Sequence, residues 1–456
     1  MKILLQGSGG REYALAQNFA EHGHAVVGSP GNPAFRIMGI GDTHPYAGPE
    51  GFADYFVTGG FDLAVAGPEG PLRDGLGDIM HDRGLPFFGP RRAHARAEWD
   101  KGYLHELLES SGVMPPGQVS RSRKVARTYL HQHWKNGERY VIKSTELREG
   151  KGVIVPATVD EAYAAVDKIM LPPPQGWGDH VLLQRRLEGH SPTEAELSTM
   201  TIVGRGQGHA SERTRNFESS KDNKPIGPNP LGLDPRMNTG GMGGDSPHPV
   251  LFPDEFQELL HSHTVPLIQA VEEDALAGEM VGVVYNGLMR QTNLGGHPIR
   301  ILESNLGRFG DPETQYLLSR LKSDLAAYLK AAVEGGLSLL PPLEFDPRPS
   351  ATLVFATPGY PTSEYSKHTG KRLRGLDMVD RNPNMKAFFA GVGDDKDDKG
   401  KLVNTGGRVF AVSLLADTRE HAWDELYGLV DGGKGIGIGD GPQDVHFRPD
   451  LKNPEV

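Results

Sequence analysis

Residues 2–21 read KILLQGSGGREYALAQNFAE and predict a β-strand, a glycine-rich turn and a helix in immediate succession. The apolar run at residues 3–5 is short, as in a buried strand, and residues 12–21 carry apolar side chains at helical spacing. Such strand–turn–helix units build open parallel sheets, whose ligands lie at the carboxyl ends of the strands. The stretch therefore predicts an α/β domain with an anion-binding turn, although a tight turn that needs glycine for backbone reasons explains it equally well.

The same alternation continues along the chain and divides it into three parts. Further strands at 25–27, 62–66 and 86–88, with a helix at 72–83, predict an N-terminal open parallel α/β domain over residues 1–100. Residues 101–341 read as a central α+β domain, and 342–456 as a small C-terminal α+β domain. The helices and strands expected in these two parts are helices at 91–111, 254–276 and 312–333 and strands at 140–143, 153–155, 181–183, 281–289, 299–303, 351–355 and 408–413.

Composition excludes several classes of protein. The 456 residues carry 48 Lys plus Arg against 59 Asp plus Glu, a net charge of −11, and they include no cysteine. A thiolate nucleophile, a disulfide scaffold and a cysteine zinc site are therefore excluded, and a nucleic-acid-binding protein is disfavoured. No apolar run approaches the ~18 residues of a membrane span. We expect a cytoplasmic protein that binds neither nucleic acid nor membrane.

The strongest chemical signal is RILESNLGRFGDPETQ at residues 300–315. Glu303 and Asn305 alternate along an extended segment, so both side chains point the same way and offer two oxygen ligands to Mg²⁺. Arg308 follows closely enough to stabilise negative charge on a transferring phosphoryl group. Asp311 precedes a proline and a glutamate, a combination that helix capping alone also explains.

Three further loops are candidates for ligand contact. A second glycine-proline turn, residues 67–72, ends another parallel strand, although a proline-started helix explains it as well. Residues 143–153 predict a hairpin that folds over a triphosphate, but they do not form a Walker A motif because no Ser or Thr follows the lysine. The glycine-rich residues 238–244 predict amides presented to a ligand or a moving loop, with a plain linker as the alternative. They lie within residues 205–249, a stretch too long for an ordinary connection and therefore functional or disordered.

Taken together in order and spacing, these motifs resemble the glycinamide ribonucleotide synthetase family of the ATP-grasp superfamily. The resemblance spans nearly the whole chain and includes PGN at 30–32, FGP at 88–90, LKSDL at 321–325 and NTGGRV at 404–409. It implies an ATP-grasp fold for the central domain, with a mobile lid at about residues 120–190, and it implies ATP and Mg²⁺ as cofactors, with Mn²⁺ as an alternative metal.

The resemblance also assigns roles to individual residues. It implies Arg308, Lys143 and Asp311 as catalytic residues and Glu303 and Asn305 as metal ligands. The residues implied for ATP are Lys101, Lys143, Gly150, Lys151, Gly152, Leu187 and Glu194. Those implied for phosphoribosylamine are Gly9, Gly10, Glu12 and Glu69, and those for glycine and its phosphate are Asn238, Thr239, Gly240, Gly241 and Arg308.

The implied activity is ATP-dependent ligation of glycine to 5-phosphoribosylamine through glycyl phosphate, by a monomer or alternatively a dimer, in de novo purine biosynthesis. Several positions depart from the family pattern: Gln184, Arg185 and Arg186 replace two carboxylates, Gly307 is an extra residue before Arg308, and residues 225–237 lengthen a loop. Two alternatives stay open on these grounds. One is a divergent ATP-grasp amide ligase that uses another small acid or amine. The other is a nucleotide-binding protein that has lost catalysis.

Overall fold

The computed structural model describes residues 1–145, 152–171, 178–189, 196–206, 208–229, 231–249, 251, 253–430 and 435–452. In this part of the chain, no helix is both long enough and apolar enough to cross a membrane.

The N-terminal part is a parallel sheet covered by helices, as the sequence predicts. Its five strands are ordered β3-β2-β1-β4-β5, and all four of the predicted strands are among them. The strands are β1 Lys2–Gly7, β2 Ala25–Pro30, β3 Asp42–Thr43, β4 Leu63–Val65 and β5 Phe87–Phe88. The helices are α1 Gly10–Glu21, α2 Ala34–Ile37, α3 Gly48–Gly59, α4 Glu69–Arg73, α5 Leu76–Asp82 and α6 Arg92–Trp99.

The central part contains two four-stranded sheets, ordered β6-β9-β7-β8 and β11-β10-β14-β15. Their strands are β6 Gly117–Ser120, β7 Tyr140–Ser144, β8 Val153–Ile154, β9 Val181–Arg185, β10 Glu196–Val203, β11 Thr214–Asn216, β14 Gly282–Arg290 and β15 Ile299–Leu306. Two short strands, β12 Lys221–Asp222 and β13 Gly243–Ser246, lie between β11 and β14 in the chain. The helices are α7 Lys101–Leu108, α8 Arg123–Lys135, α9 Val159–Ile169, α10 Pro253–Leu259, α11 Val265–Ala275, α12 Glu313–Arg320 and α13 Leu325–Glu334.

The C-terminal part shares its main sheet with the central part. That sheet is ordered β12-β13-β16-β21-β18, so the two short strands from residues 205–249 form one side of it. The remaining elements are β16 Ser350–Ala356, β17 Leu373–Arg374, β18 Met385–Phe389, β19 Val392–Asp394, β20 Leu402–Asn404, β21 Arg408–Leu415 and β22 Gly437–Ile438, with α14 Asp377–Asp380 and α15 Arg419–Gly428. The loop at 238–241 is therefore anchored at its carboxyl end by a sheet that also contains the C-terminal strands.

A single apolar core joins the N-terminal and C-terminal parts through α12. Buried side chains of β1 and α1, such as Ile3 and Phe19, belong to the same cluster as Tyr316 of α12 and Leu353 and Trp423 of the C-terminal part. Burial of large apolar side chains is the main favourable term in folding, about 25 cal/mol for each Å². The shared core therefore fixes the turn after β1 against the start of α12.

Three helices predicted as continuous are each interrupted, so those predictions are wrong in detail. The helix at 91–111 breaks at Asp100, whose carboxylate accepts from Tyr103 N at 2.9 Å and caps α7. The helix at 312–333 breaks before Asp324, which caps α13. The helix at 72–83 breaks at Gly75, which has φ of +95°. In each place the local capping or turn residue outweighs the apolar periodicity.

Candidate active site

One cleft of about 780 Å³ is lined by residues of all three parts of the chain. The predicted site residues in its wall are Gly9, Glu69, Lys101, Lys143, Gly152, Leu187, Asn238, Thr239, Gly240, Glu303, Asn305, Arg308 and Asp311. Gly10, Glu12 and Gly241 are not part of that wall but lie next to residues that are. Gly150, Lys151 and Glu194 lie outside the described residues. Residues from 9 to 311 in the chain thus meet around one space.

The turn after β1 is stabilised by hydrogen bonds to the Glu12 side chain. Its carboxylate accepts from Gly9 N at 2.6 Å and from Arg11 Nε at 2.6 Å, and only 2% of the residue is exposed. Arg11 also donates to the Phe309 carbonyl at 2.9 Å. A Cβ on Gly10 would lie 2.7 Å from Gln315 Nε2, so any larger residue there would displace the Gln315 side chain. Glu12 therefore stabilises the turn without lining the cleft, while Gly9 lines the cleft.

Lys143 is a buried cation at the end of β7. Its Nζ donates to Gln184 Oε1 at 2.6 Å and to the Leu302 carbonyl at 2.9 Å. Burial, reinforced by the nearby Lys101, lowers the pKa of Lys143 to about 7. Gln184, which stands where the family pattern has a carboxylate, supplies a neutral oxygen only. Within the described part of the chain no anion is bonded directly to this ammonium group, which therefore suits a phosphate.

Glu303 and Asn305 lie side by side on β15, as the sequence predicts. They pair with Gly287 and Tyr285 of β14, and both side chains line the cleft. Lys224 Nζ donates to Glu303 Oε1, and Lys101 Nζ lies 3.6 Å from Glu303 Oε2. Lys224 is the main reason that the pKa of Glu303 lies well below its usual range despite burial. Glu303 is therefore an ionised oxygen donor.

The donor set fits Mg²⁺ with few protein ligands. Glu303 offers carboxylate oxygens, and the Asn305 side chain makes no hydrogen bond to any described residue, which leaves its carbonyl oxygen available. No group of three or more His, Asp or Glu side chains that could hold a metal is found among the described residues. Mg²⁺ is commonly held by one or two carboxylates together with water and substrate phosphates, so two protein oxygens suffice.

Arg308 reaches the cleft in spite of the extra residue before it. Gly307 has φ of +113°, and a Cβ there would lie 2.4 Å from Pro90 Cγ, so only glycine fits. Arg308 Nε lies 2.6 Å from Glu98 Oε1 and 3.2 Å from Glu69 Oε2. Burial acts to lower the pKa of Arg308, but Glu98 and Glu69 outweigh it and raise that pKa. Burial also raises the pKa of Glu98 to about 7.

A residue of β21 joins Asp311 to the glycine-rich loop. Arg408 Nη1 donates to the carbonyls of Gly240 at 2.8 Å and Asp311 at 2.7 Å, and Arg408 Nη2 lies 3.3 Å from Asp311 Oδ2. Tyr360 Oη accepts from Gly240 N at 2.8 Å. Burial acts to raise the pKa of Asp311, but Arg408 and Arg11 hold it below its usual value. The C-terminal part thus fixes the loop at the cleft.

The lining residues that the sequence analysis did not assign to the site include Glu98, Lys224, Tyr360 and Arg408. Arg408 lies within the NTGGRV stretch that resembles the family, but neither Arg408 nor Lys224 has a local pattern that marks chemistry. What marks each of them as a site residue is an ion pair with a predicted site residue that is 79 positions or more away in the chain. Lys224 pairs with Glu303, and Arg408 pairs with Asp311. Such a pair is visible only once the chain is folded.

Comparisons with known proteins define first the class and then the family. Residues 99–314 match the family model for the phosphoribosylglycinamide synthetase ATP-grasp (A) domain, which identifies the central part as an ATP-grasp domain. Residues 1–98 match the N domain and residues 350–451 the C domain of the same synthetase.

Whole-chain relatives agree with these domain matches. The phosphoribosylamine–glycine ligase of Rhodopirellula baltica is 34% identical over 435 residues, which cover 94% of this chain and 93% of that protein. A crystal structure of phosphoribosylamine–glycine ligase from Thermotoga maritima has a TM-score of 0.76 and 24% identity, and the match covers 99% of this chain and 100% of that one. Biotin carboxylase from Campylobacter jejuni, solved with β,γ-ATP, shares the fold with a TM-score of 0.67 at 13% identity, covering 99% of this chain and 94% of that one.

The chain therefore belongs to the phosphoribosylamine–glycine ligase family. The resemblance inferred from the motifs is confirmed, and so is the expected fold of an N-terminal α/β domain, a central ATP-grasp domain and a C-terminal domain. An ATP-dependent ligase is confirmed at the level of the family. The roles of individual residues stay predictions.

Proposed function

We propose that this protein uses ATP to join glycine to 5-phosphoribosylamine through glycyl phosphate, giving glycinamide ribonucleotide, ADP and phosphate in de novo purine biosynthesis. The proposal includes Mg²⁺ as the metal, with Mn²⁺ as a substitute, and a cytoplasmic location. The observation that carries it is the convergence, on one cleft, of an anion-binding turn, a set of lysines and a glycine-rich loop from different parts of the chain.

We place the triphosphate on the side of the cleft lined by Lys101, Lys143 and Lys224, which we call the lysine side. Lys101 begins α7 and Lys143 lies one residue before the end of β7, so both ammonium groups enter the cleft from separate elements. Among the described residues, neither has a carboxylate within hydrogen-bonding distance: Lys101 lies 3.6 Å from Glu303, and Lys143 bonds to the neutral oxygens of Gln184 and Leu302. Anionic phosphate oxygens satisfy these donors with strong charge-assisted hydrogen bonds. Gly152, Leu187 and Glu196 line the same space.

The chemistry needs positioning and charge neutralisation and no enzyme nucleophile. A glycine carboxylate oxygen attacks the γ-phosphorus, the bond from that phosphorus to the β,γ-bridging oxygen breaks, and ADP leaves. Magnesium, when bound by Glu303 and Asn305, supplies positive charge to the phosphate oxygens. Lys143 neutralises charge on the phosphates, and the Asn238–Gly240 amides border the glycine.

Another part of the cleft wall, lined by Arg11, Arg308 and Arg408 and called the arginine side, suits formation of the amide. The amine of 5-phosphoribosylamine attacks the carbonyl carbon of glycyl phosphate, the amide C–N bond forms, the bond from that carbon to the phosphate oxygen breaks, and phosphate leaves while the amine loses one proton to the phosphate or to water. Arg308, held by Glu98 and Glu69, lies where it can stabilise the departing phosphate. The Gly9 turn and Glu69 border the space left for the phosphorylated ribose, at the start of a 12-residue helix whose dipole favours an anion.

The test is product formation with each substrate omitted in turn. We expect release of ADP to require glycine and 5-phosphoribosylamine together, with glycinamide ribonucleotide identified by mass spectrometry. Product from glycine and another amine but not from phosphoribosylamine would refute the proposal and identify a divergent amide ligase. ATP binding without turnover over a full substrate panel would refute it in favour of a binding protein.

A further inference from the structure

Lys224 occupies one of the two carboxylate oxygens of Glu303, the residue proposed as a metal ligand. Its Nζ donates directly to Glu303 Oε1, while the ammonium group of Lys101 lies 3.6 Å from Oε2. Mg²⁺ binds carboxylate oxygens at about 2.0–2.1 Å and so contacts their lone pairs directly. A metal ion on Glu303 would therefore lie close to the Lys224 ammonium group, and the two cations compete for the same carboxylate.

The main chain of Lys224 is held in place by hydrogen bonds, whereas its side chain is not restrained in the same way. The Lys224 carbonyl accepts from Thr239 N at 2.8 Å and from Thr239 Oγ1 at 2.7 Å, which fixes the residue to the glycine-rich loop. Asp222, two residues before Lys224, belongs to β12, which pairs with β13. Only the four-carbon side chain is free to reorient, as lysine side chains readily do. Lys224 thus links the metal ligand Glu303 to the loop that borders the acid substrate.

The neighbouring cations have partners other than Glu303. Arg308 lies between Glu98 and Glu69, and Arg408 contacts Asp311. Lys143 is bonded to Gln184 and to a main-chain carbonyl. Among Arg308, Arg408, Lys143 and Lys224, Lys224 is the one whose directly bonded carboxylate, Glu303, is the proposed metal ligand.

We propose that Lys224 exchanges partners during the reaction: it neutralises Glu303 until the metal–nucleotide complex binds, and its released ammonium group then binds the carboxylate of the acid substrate. The inference rests on the proposed function, because a carboxylate that attacks a phosphoryl group must lie beside the metal ligands. The exchange makes the acid bind after the nucleotide. Lys224 is accordingly a substrate-binding residue that the sequence reasoning did not assign.

The first experiment measures Mn²⁺ binding by electron paramagnetic resonance to the full chain without nucleotide. Lys224→Met is compared with wild type and with Lys386→Met, which removes a lysine that pairs with Glu21 at 2.6 Å outside the cleft. Loss of one charge-assisted hydrogen bond predicts Mn²⁺ affinity about tenfold higher in Lys224→Met than in the other two proteins. Equal Mn²⁺ affinity in all three, including no detectable binding in any, overturns the proposal.

The second experiment measures glycine binding by calorimetry with and without Mg²⁺ and a non-hydrolysable ATP analogue. In wild type and Lys386→Met, the analogue should tighten glycine binding about tenfold or more. In Lys224→Met that tightening should disappear, and in Lys224→Arg, which keeps the charge and guards against misfolding of the first variant, part of it should remain. Full tightening in Lys224→Met overturns the proposal.

The two failures can be told apart. Absence of product from glycine and phosphoribosylamine with wild-type protein refutes the proposed function, whereas the Mn²⁺ measurement uses no substrate and tests the Lys224–Glu303 competition alone. A normal reaction combined with unchanged Mn²⁺ affinity refutes only the exchange.

Discussion

The two sides of the cleft balance their charges in different ways. On the arginine side, Arg308 contacts Glu98 and Glu69, Arg408 contacts Asp311, and Arg11 contacts Glu12. On the lysine side, Lys101, Lys143 and Lys224 all act on one carboxylate, Glu303. The arginine side is a completed network in which each charge is neutralised by the protein. On the lysine side, Lys101 and Lys143 have no carboxylate within hydrogen-bonding distance among the described residues, so these two ammonium groups remain for a ligand.

This difference assigns different tasks to the two sides. A buried ion pair whose partners are both present is rigid, and removing one partner leaves an uncompensated charge. Ammonium groups without a directly bonded carboxylate instead form an electrostatic site for an anion such as a triphosphate. Arginine-side substitutions should therefore reduce the stability of the fold, and lysine-side substitutions should reduce ligand binding.

The largest expected effect is on stability, from Arg308→Met. The substitution leaves Glu98 and Glu69 buried without their shared cation, which should cost about 3–5 kcal/mol of unfolding free energy. Urea unfolding monitored by circular dichroism measures this. Arg36→Met, which removes an exposed arginine paired with Asp394, is the control and should change stability by less than about 0.5 kcal/mol. A similar small change for both variants would contradict the distinction between the two sides.

The matching change on the lysine side is Lys101→Met. We expect nucleotide affinity to fall by a factor corresponding to about 1.5–3 kcal/mol, the value of a hydrogen bond to a charged group. Unfolding free energy should stay within about 1 kcal/mol, since Lys101 lies 3.6 Å from the nearest carboxylate oxygen. Calorimetric titration with an ATP analogue measures the affinity. Unaltered affinity together with a large loss of stability would reverse the assignment of the two sides.

Lys143 predicts a dependence of stability on pH. Its pKa is about 7 in the folded protein and 10.5 for an ordinary lysine, so between these values the unfolded chain binds more protons. Its contribution to stability is therefore fully present above about pH 10.5 and is lost as the pH falls through 7.

Replacing Lys143 with methionine should remove this dependence. The difference in unfolding free energy between wild type and Lys143→Met should change by at most about 1.4 kcal/mol for each pH unit between pH 7 and 10. Urea titrations at several pH values measure it, with Lys386→Met expected to follow wild type. Parallel curves for wild type and Lys143→Met would show that Lys143 titrates normally.

The smallest effect is expected from Tyr360→Phe. The change removes the acceptor for Gly240 N, a hydrogen bond worth about 1 kcal/mol. Because the loop borders the acid substrate, KM for glycine should rise several-fold while KM for ATP stays unchanged. Steady-state kinetics with each substrate varied separately measure both constants. An equal rise in both KM values would indicate a general loosening of the cleft instead.

The sequence predicted several buried strands and several site residues for physical reasons, whereas strands such as β6 and β10 were not predicted. Short apolar runs such as those of β1 and β14 have few alternatives, because burying them requires a sheet. Glu303 and Asn305 followed from the two-residue period of a strand, and both line the cleft.

What the sequence did not predict depends on long-range contacts or on single residues. Apolar periodicity continued through Asp100 and Asp324, where a capping carboxylate starts a new helix. Residues 205–249 held two strands that pair with the C-terminal sheet, and nothing local indicates such a partner. Glu98 and Arg408 became recognisable only through the side chains they contact, Arg308 and Asp311.

The proposed function depends on activation of a carboxylate by phosphoryl transfer in the cleft. This step is tested most directly by supplying glycine labelled with ¹⁸O in its carboxylate, together with ATP and 5-phosphoribosylamine, and analysing the released phosphate by mass spectrometry. We expect each phosphate formed with product to carry one ¹⁸O atom from glycine. Phosphate that carries none, with product still formed, would contradict it.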